Sequence, residues 1–456
     1  NNIVNTAVSL AAFAVIARPI SREDMGGLAV LALVASGTQW FAGLGIGSTA
    51  FRFVSAFEAA QQEEKMSRAG YTCLSVNVLT TIVLVTSVYL SSDVLASVLL
   101  GSSSRAGLFR LLTLEVGAVC INYSLSAILG GLRKFKELSA TSMSSFALRQ
   151  GLVVTFLRLG WGLPGIVIGW GVGDSVTSLA LAALTRRFLG PPKLGFGFWK
   201  LLTFSAPLYL SEGAGYAWTW FDRALLLPLV TLAQLGAYNV AVTAYGVLGS
   251  ISTSISVTLF PFYSHLYRGE GTASSTADLE SAVKTASRYV SFLTVPTAVG
   301  LAVTSLPAAT LLAGSTYADS AFPLAILAIS LGVACLVRSL SQIFVVLGKP
   351  VTSAIVNIAS VAIAIFTGIA VIPISGIIGA SMARGFSLIL AFLLSVLVLR
   401  KILQIEVRFD MKAYWHAWLA SLVMAGAVLA AQFVFYNKYL LPVSYTHLTL
   451  PTNREV

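Results

Sequence analysis

Apolar residues run along this chain in blocks of roughly 18 to 25, the length needed to cross a hydrocarbon core ~30 Å thick. Short polar stretches separate the blocks. Only helices and closed barrels satisfy the backbone in lipid, and runs this long are not barrel strands, so each block is expected to be a helix. The pattern predicts spans near 3–17, 26–53, 71–90, 108–130, 140–158, 163–184, 203–228, 238–260, 289–313, 322–346, 351–372, 375–399 and 413–436. The expected fold class is therefore all-α, a polytopic membrane protein with about 13 spans present and 14 in the intact protein. The fourteenth would begin near Pro442.

Composition supports this reading. Of 456 residues, 57% are apolar and only 10% charged, with a mean hydropathy of +0.85. Soluble domains carry about a quarter charged residues, so this chain cannot cover a globular surface. The net charge of +11 does not indicate a nucleic-acid partner, because Lys and Arg are scattered through short loops. Their distribution instead sets an orientation. Loops after even-numbered spans carry eighteen of them against six on the other side. The positive-inside bias then puts the N-terminus in the cytoplasm and the chain, multi-pass, in the cell membrane.

Short similarities suggest an internal repeat. Ala127-Ile-Leu-Gly-Gly-Leu-Arg-Lys follows span four and Val345-Val-Leu-Gly-Lys-Pro follows span ten. Gly165-Ile-Val-Ile-Gly opens span six and Gly376-Ile-Ile-Gly opens span twelve. Spans six apart share an orientation, so the halves would be parallel repeats, whose interface is where transporters place substrate. The expected organisation is an N-terminal six-helix lobe over 1–190 and a second over 191–400. An amphipathic segment and the thirteenth span follow over 401–442. The part from Arg400 to His416 reads either as a helix lying along the cytoplasmic face or as a helix extension. The longest loop, Pro261 to Arg288, is a Gly/Ser/Thr-rich linker followed by an amphipathic stretch, too short for a catalytic domain.

Both ends read as incomplete. The chain opens on Asn1 and Asn2, with no initiator Met, as a gene fragment would. Val443 to Thr452 back-translate to a string resembling a transposon adapter used in sequencing libraries, so 443–456 are expected to be a non-native tail.

Apart from arginines within two residues of a span end, eight charged residues fall inside the spans: Glu115, Arg149, Asp174, Glu212, Asp222, Arg223, Arg338 and Arg384. At ~2.5–3.5 kcal/mol each, their exposure to lipid would cost on the order of 20 kcal/mol, so they must face the interior, a cavity or each other. Glu115 and Glu212, towards span ends, are read as structural. Arg149, Arg338 and Arg384 lie deep in three spans with no acid within a turn. They are expected to line one cationic cavity for an anionic substrate. Asp222 and Arg223 are adjacent and so point to different faces. Asp174 and Arg384 follow their repeat-equivalent glycines by nine and eight residues, which would let them face each other across the pseudo-two-fold as a gate or a brace. Cys73, Cys120 and Cys335 sit in apolar spans as packing thiols. His265, His416 and His447 are isolated, and no metal site or catalytic set is expected. Gly43-Leu-Gly-Ile-Gly inside span two reads as close helix packing.

The run from Ala17-Arg-Pro-Ile-Ser-Arg-Glu-Asp-Met-Gly to Gly43-Leu-Gly-Ile-Gly-Ser-Thr-Ala-Phe-Arg-Phe resembles the opening of Wzx-type polysaccharide flippases. These belong to the multidrug/oligosaccharidyl-lipid/polysaccharide exporter superfamily. Phe204-Ser-Ala-Pro-Leu-Tyr-Leu, Asp222, Leu235-Gly-Ala-Tyr-Asn-Val-Ala and Phe260-Pro-Phe-Tyr-Ser-His-Leu-Tyr resemble its seventh and eighth helices. Leu347-Gly-Lys-Pro resembles its loop between helices ten and eleven. The resemblance implies translocation of a lipid-linked sugar phosphate or pyrophosphate by alternating access, without enzymatic chemistry. Arg52 and Asp222 match positions characteristic of the family. The residues expected to bind substrate are Arg52, Arg149, Arg223, Arg338 and Arg384, with Asp174 and Asp222 coupling or gating. No cofactor is expected, and a coupling ion, sodium or proton, is left open. Membrane lipids and polysaccharide-assembly proteins are the expected partners of a monomer. The alternatives are a drug/cation antiporter of the same superfamily, which would want an acidic cavity, and a membrane-embedded glycan polymerase or scaffold.

Overall fold

The apolar blocks fold as helices, and no strand forms among the described residues. The computed structural model describes residues 2–266, 273–347, 349–401 and 409–435. The tail from Val443 to Val456 lies outside them. In order, the helices are α1 (Asn2–Ala17), α2 (Arg22–Gly43), α3 (Ile46–Ala59), α4 (Glu63–Leu90), α5 (Ser92–Leu99), α6 (Ala106–Gly131), α7 (Phe135–Arg158) and α8 (Gly162–Leu189). They continue as α9 (Phe198–Leu226), α10 (Leu232–Leu266), α11 (Ala273–Val303), α12 (Ser305–Ala313), α13 (Ala321–Val346), α14 (Pro350–Lys401) and α15 (Met411–Phe435). Among the described residues, eight helices are long and apolar enough to cross a membrane. α7 and α9 are long enough but more polar, because they carry Arg149 and the trio Glu212, Asp222 and Arg223.

Three boundaries differ from the sequence reading. The apolar run 26–53 is two helices, not one. Leu44 (φ 46) and Gly45 (φ 68) both take the left-handed conformation and break it. α2's last carbonyls are not orphaned there, since Asn77 and Thr80 of α4 both donate to Ala42 O, at 3.2 and 2.8 Å. Span nine, 289–313, is likewise divided, between the end of α11 and α12, whereas spans eleven and twelve are two helices meeting within α14 at a kink at Gly376 (φ 53, ψ −129), as expected. The long loop after span eight is largely helical, because α10 runs to Leu266 and α11 starts at Ala273. Of the amphipathic segment, 402–408 lie outside the described residues, and Met411 to His416 extend α15.

α2, α3, α4, α6, α7 and α8 pack against one another as one lobe, and α9, α10, α11, α13, α14 and α15 as the other. α2 crosses between them, resting on α10 at its start and touching α9 further along. Ser21 caps α2 by accepting from Asp24 N at 3.0 Å, with Glu23 and Asp24 in the positive first turn. Glycines permit the close approach to α10. A Cβ on Gly26 would collide with Leu232 O, and one on Gly236 with Arg22 O. The main apolar core lies in this seam, where Met25, Leu28 and Leu31 of α2 join Leu235 and Tyr238 of α10 and Tyr317.

Candidate functional site

The two lobes meet at three levels. At the end where α2 begins, Arg22 pairs with Asp319 and Arg18 donates to Leu311 O at 2.7 Å. Tyr317 OH donates to Ser21 O at 3.3 Å. With the α2–α10 glycine contacts, these interactions seal that end.

The middle level is aromatic. Trp40 of α2 stacks on Tyr209 (5.1 Å between centroids) and on Tyr216 (5.5 Å), both on α9. Those tyrosines are seven residues apart, about 10.5 Å along a helix, so the indole sits between them. Gly213 makes the room, since a Cβ there would lie 2.5 Å from Trp40 Cζ2. Trp40 Nε1 donates to Tyr209 O at 3.2 Å. Beside the stack, Glu212 Oε1 accepts from Tyr123 OH (2.8 Å) on α6 and from Ser48 Oγ (2.9 Å) on α3. A cavity of about 280 Å³ opens here, lined by Ser36, Gln39, Trp40, Tyr123, Glu212, Tyr216 and Trp220 among others.

At the third level, α3 meets α9. A Cβ on Gly45 would lie 2.5 Å from Ser205 O. Phe53 meets Phe204 edge-on at 5.4 Å, and the Arg52 guanidinium lies over Phe204 at 4.4 Å. Close packing by the Gly43-Leu-Gly-Ile-Gly run is thus observed, at a break and not within a continuous span. Arg52 is exposed and has no carboxylate partner among the described residues.

The other predicted cations form two separate groups. In the second lobe, Arg384 of α14 reaches Asp222 Oδ2 through Nε (2.8 Å) and Nη2 (2.7 Å). Tyr238 OH donates to the same oxygen at 2.6 Å. Arg223 N donates to Asp222 Oδ1 at 2.8 Å, and Arg223 Nε lies 3.7 Å from that oxygen. Adjacent Asp222 and Arg223 therefore do approach each other, because the aspartate folds back over its own backbone. Arg223 also donates to Asn239 Oδ1 and Thr219 O and covers Trp220 at 3.9 Å. In the first lobe, Arg149 of α7 lies 3.3 Å from Asp174 Oδ2 on α8 and 3.5 Å from Glu115 Oε1 on α6. Trp170 covers it at 4.9 Å. Asp174 therefore faces Arg149 and not Arg384, since each acid is taken by the arginine of its own lobe. Arg149 and Arg384 are not brought together, and neither lines the cavity between the lobes. Arg338 lies on α13 with its side chain outside the described residues, as does that of Cys335. Cys73 and Cys120 are buried and free.

Sequence reasoning passed over the aromatic stack and read Glu212 as a structural residue towards a span end. Glu212 sits near the middle of α9, fourteen residues past Phe198, because that helix begins earlier than its apolar run. The usable signal was the seven-residue spacing of Tyr209 and Tyr216 around Gly213 on one helix.

Two helical lobes joined across such a seam define a fold seen in membrane transporters. The structure superposes on the lipid II flippase MurJ in an inward closed conformation with a TM-score of 0.75, at 16% identity, covering 96% of this chain and 95% of that one. An inward-facing multidrug resistance MATE family transporter of the MOP superfamily gives 0.65, at 16% identity over 88% and 96%. The Vibrio cholerae MATE transporter VcmN in its bent form gives 0.57, at 18% over 92% and 95%. Residues 15–322 match the model of the family described as "Polysaccharide biosynthesis protein", and the chain belongs to that family. It is also similar to the probable low-salt glycan biosynthesis flippase Agl15 of Haloferax volcanii, 22% identical over 275 residues, or 58% of this chain and 53% of that protein. The chain thus spans about half the length of this curated relative.

Proposed function

We propose that this protein is a flippase that moves a lipid-linked oligosaccharide or polysaccharide precursor across the cytoplasmic membrane by alternating access. The observation that carries the reading is the cavity in the seam, sealed at the α2–α10 end, in a chain of the polysaccharide biosynthesis family. On the loop-charge asymmetry, the sealed end would be the outer one. Parting the lobes at the α2–α10 end while the α3–α9 contacts hold would turn the cavity outward, and parting them at the α3–α9 end would turn it inward, carrying the head group across while its lipid tail stays in the bilayer.

In this reading Arg52 meets the phosphate first, because it is exposed beside the seam and its charge is not neutralised by an acid. Arg149, Arg223 and Arg384 hold their acids in the conformation described. They would add to phosphate binding only by exchanging a carboxylate for it, with Asp174 and Asp222 as the competing groups. Glu115 and Asp174 against the single Arg149 leave one negative charge in excess, the natural place for a coupling proton or sodium ion. Polysaccharide-assembly proteins and membrane lipids are the partners this reading implies.

The antiporter alternative draws support from Glu212, a carboxylate among aromatic rings, which suits a cation. Translocation of a fluorescent lipid-linked oligosaccharide in proteoliposomes decides between them. Folded protein that moves a drug cation and not the glycolipid would overturn the flippase reading.

A further inference from the structure

We propose that the seam cavity is a sugar subsite, holding one uncharged pyranose ring of the cargo. The ring would stack on the aromatic wall of Trp220 and Tyr216, with its hydroxyls bonded by Ser36, Gln39 and Glu212. The inference deepens the flippase reading and rests on it.

A pyranose needs two things at once: an apolar surface for its C–H face and hydrogen-bond partners for a ring of hydroxyls. The cavity supplies both. Tyr123, Tyr216 and Trp220 give aromatic walls, whereas Trp40 has its faces spent between two tyrosines. Ser36, Gln39 and Trp40 share one face of α2, at i, i+3 and i+4. Among the described residues, the hydroxyl of Ser36, the amide of Gln39 and Oε2 of Glu212 make no hydrogen bond to protein, while Glu212 Oε1 takes both Ser48 and Tyr123. Three unspent polar groups thus converge on one aromatic-walled space, with acceptors on all three and donors on two.

Size and charge narrow the ligand. About 280 Å³ is just below the ~300–1,000 Å³ of small-molecule sites, so it fits a single ring and not a whole oligosaccharide. Among the described residues no Lys or Arg lines it, so the phosphate finds no cation at this position. Glu212 would attract a cation, but the Arg223 guanidinium 3.9 Å over Trp220 opposes a second positive charge on that ring, which favours a neutral ligand there. A neutral C–H face carries no such penalty. The phosphate has a separate place nearby. Ser48, which clasps Glu212, is one turn before Arg52 on α3, about 6 Å of helix rise. That separation suits a sugar in the cavity and its phosphate on Arg52.

The test uses the purified chain in proteoliposomes and four polyprenyl diphosphates: bare, and carrying glucose, galactose or N-acetylglucosamine. At least one sugared lipid should be flipped about tenfold faster than the bare one. Gln39→Leu keeps the volume and removes the amide. It should lower that preference about fivefold, the weight of one neutral hydrogen bond. Trp220→Leu should lower it about tenfold. Gln39 lies at a partly exposed position, so its variant keeps the test open if Trp220→Leu fails to fold. Equal flipping of bare and sugared lipids, or an unchanged preference in folded variants, would overturn the subsite and leave the flippase standing. Tetraphenylphosphonium displaced or transported in a Trp220-dependent manner would also overturn it, in favour of a cation site. Wild-type protein that flips none of the four lipids overturns the flippase reading and the subsite with it.

Discussion

Asp222 and Arg384 are joined twice through a single carboxylate oxygen, in a position where the aspartate is wholly buried. Breaking such a pair leaves a charge with no solvent, and costs ~3–5 kcal/mol. Asp222→Ala and Arg384→Met should each lower the thermal unfolding midpoint in detergent markedly. The double substitution should be less destabilised than the poorer single one, because it removes both charges. Additive losses would show that the two side chains do not depend on each other.

A second expectation concerns the sealed end. Arg22→Cys with Asp319→Cys should be joined by a bifunctional thiol reagent about as long as an arginine side chain, since the native side chains bridge that gap. Adding Gly26→Val places a branched side chain where α2 touches Leu232 O, and cross-linking should fall severalfold as the helices part. Unchanged cross-linking would mean that α2 and α10 do not form this seam.

Arg52 gives a third. Arg52→Ala should slow flipping of lipid-linked sugar about tenfold while the protein stays folded, because the side chain is exposed and lies over the Phe204 ring without an ion-pair partner among the described residues. Arg52→Lys should recover part of the loss, keeping the charge without the bidentate fork. Full activity in the alanine variant would remove Arg52 from phosphate binding.

Orientation is open to a direct measurement. Cysteine introduced at Arg105 should react with an impermeant thiol reagent on intact cells, and cysteine at Lys134 should not. The reverse pattern would invert the molecule and make the sealed end cytoplasmic.

The hydropathy of the chain carried the helices, because lipid tolerates little else. It could not show where they end outside the bilayer, where length is set by local contacts. Leu266 and Ala273 are helical although the stretch between Pro261 and Arg288 reads as a Gly/Ser/Thr-rich linker followed by an amphipathic stretch. The break at Leu44 and Gly45 is hidden for another reason: the apolar run continues unbroken across it, and only the collision of a Cβ with Ser205 O shows why a turn is needed. That Arg149, Asp174, Asp222 and Arg384 face inward follows from their cost in lipid. Who meets whom depends on how each helix is rotated, which no spacing within one helix records. Asp174 therefore found Arg149 on its neighbour α8–α7 contact, not Arg384 in the other lobe. Trp40, Tyr209 and Tyr216 carry no charge penalty and drew no attention, although they join the lobes.

The indole of Trp40, lodged against the bare backbone of Gly213, also bears on how the lobes separate. An aromatic ring held between two others cannot yield by degrees; its contacts are kept, or the ring leaves the slot and they are lost together. Packed interfaces of this kind switch between discrete arrangements instead of deforming continuously. If the lobes rock as proposed, their movement would have a detent. Half-open angles should be scarcely populated, and the time spent at each extreme should be set by how readily one side chain escapes, so that filling the slot with Gly213→Ala shortens the stay in the closed seam.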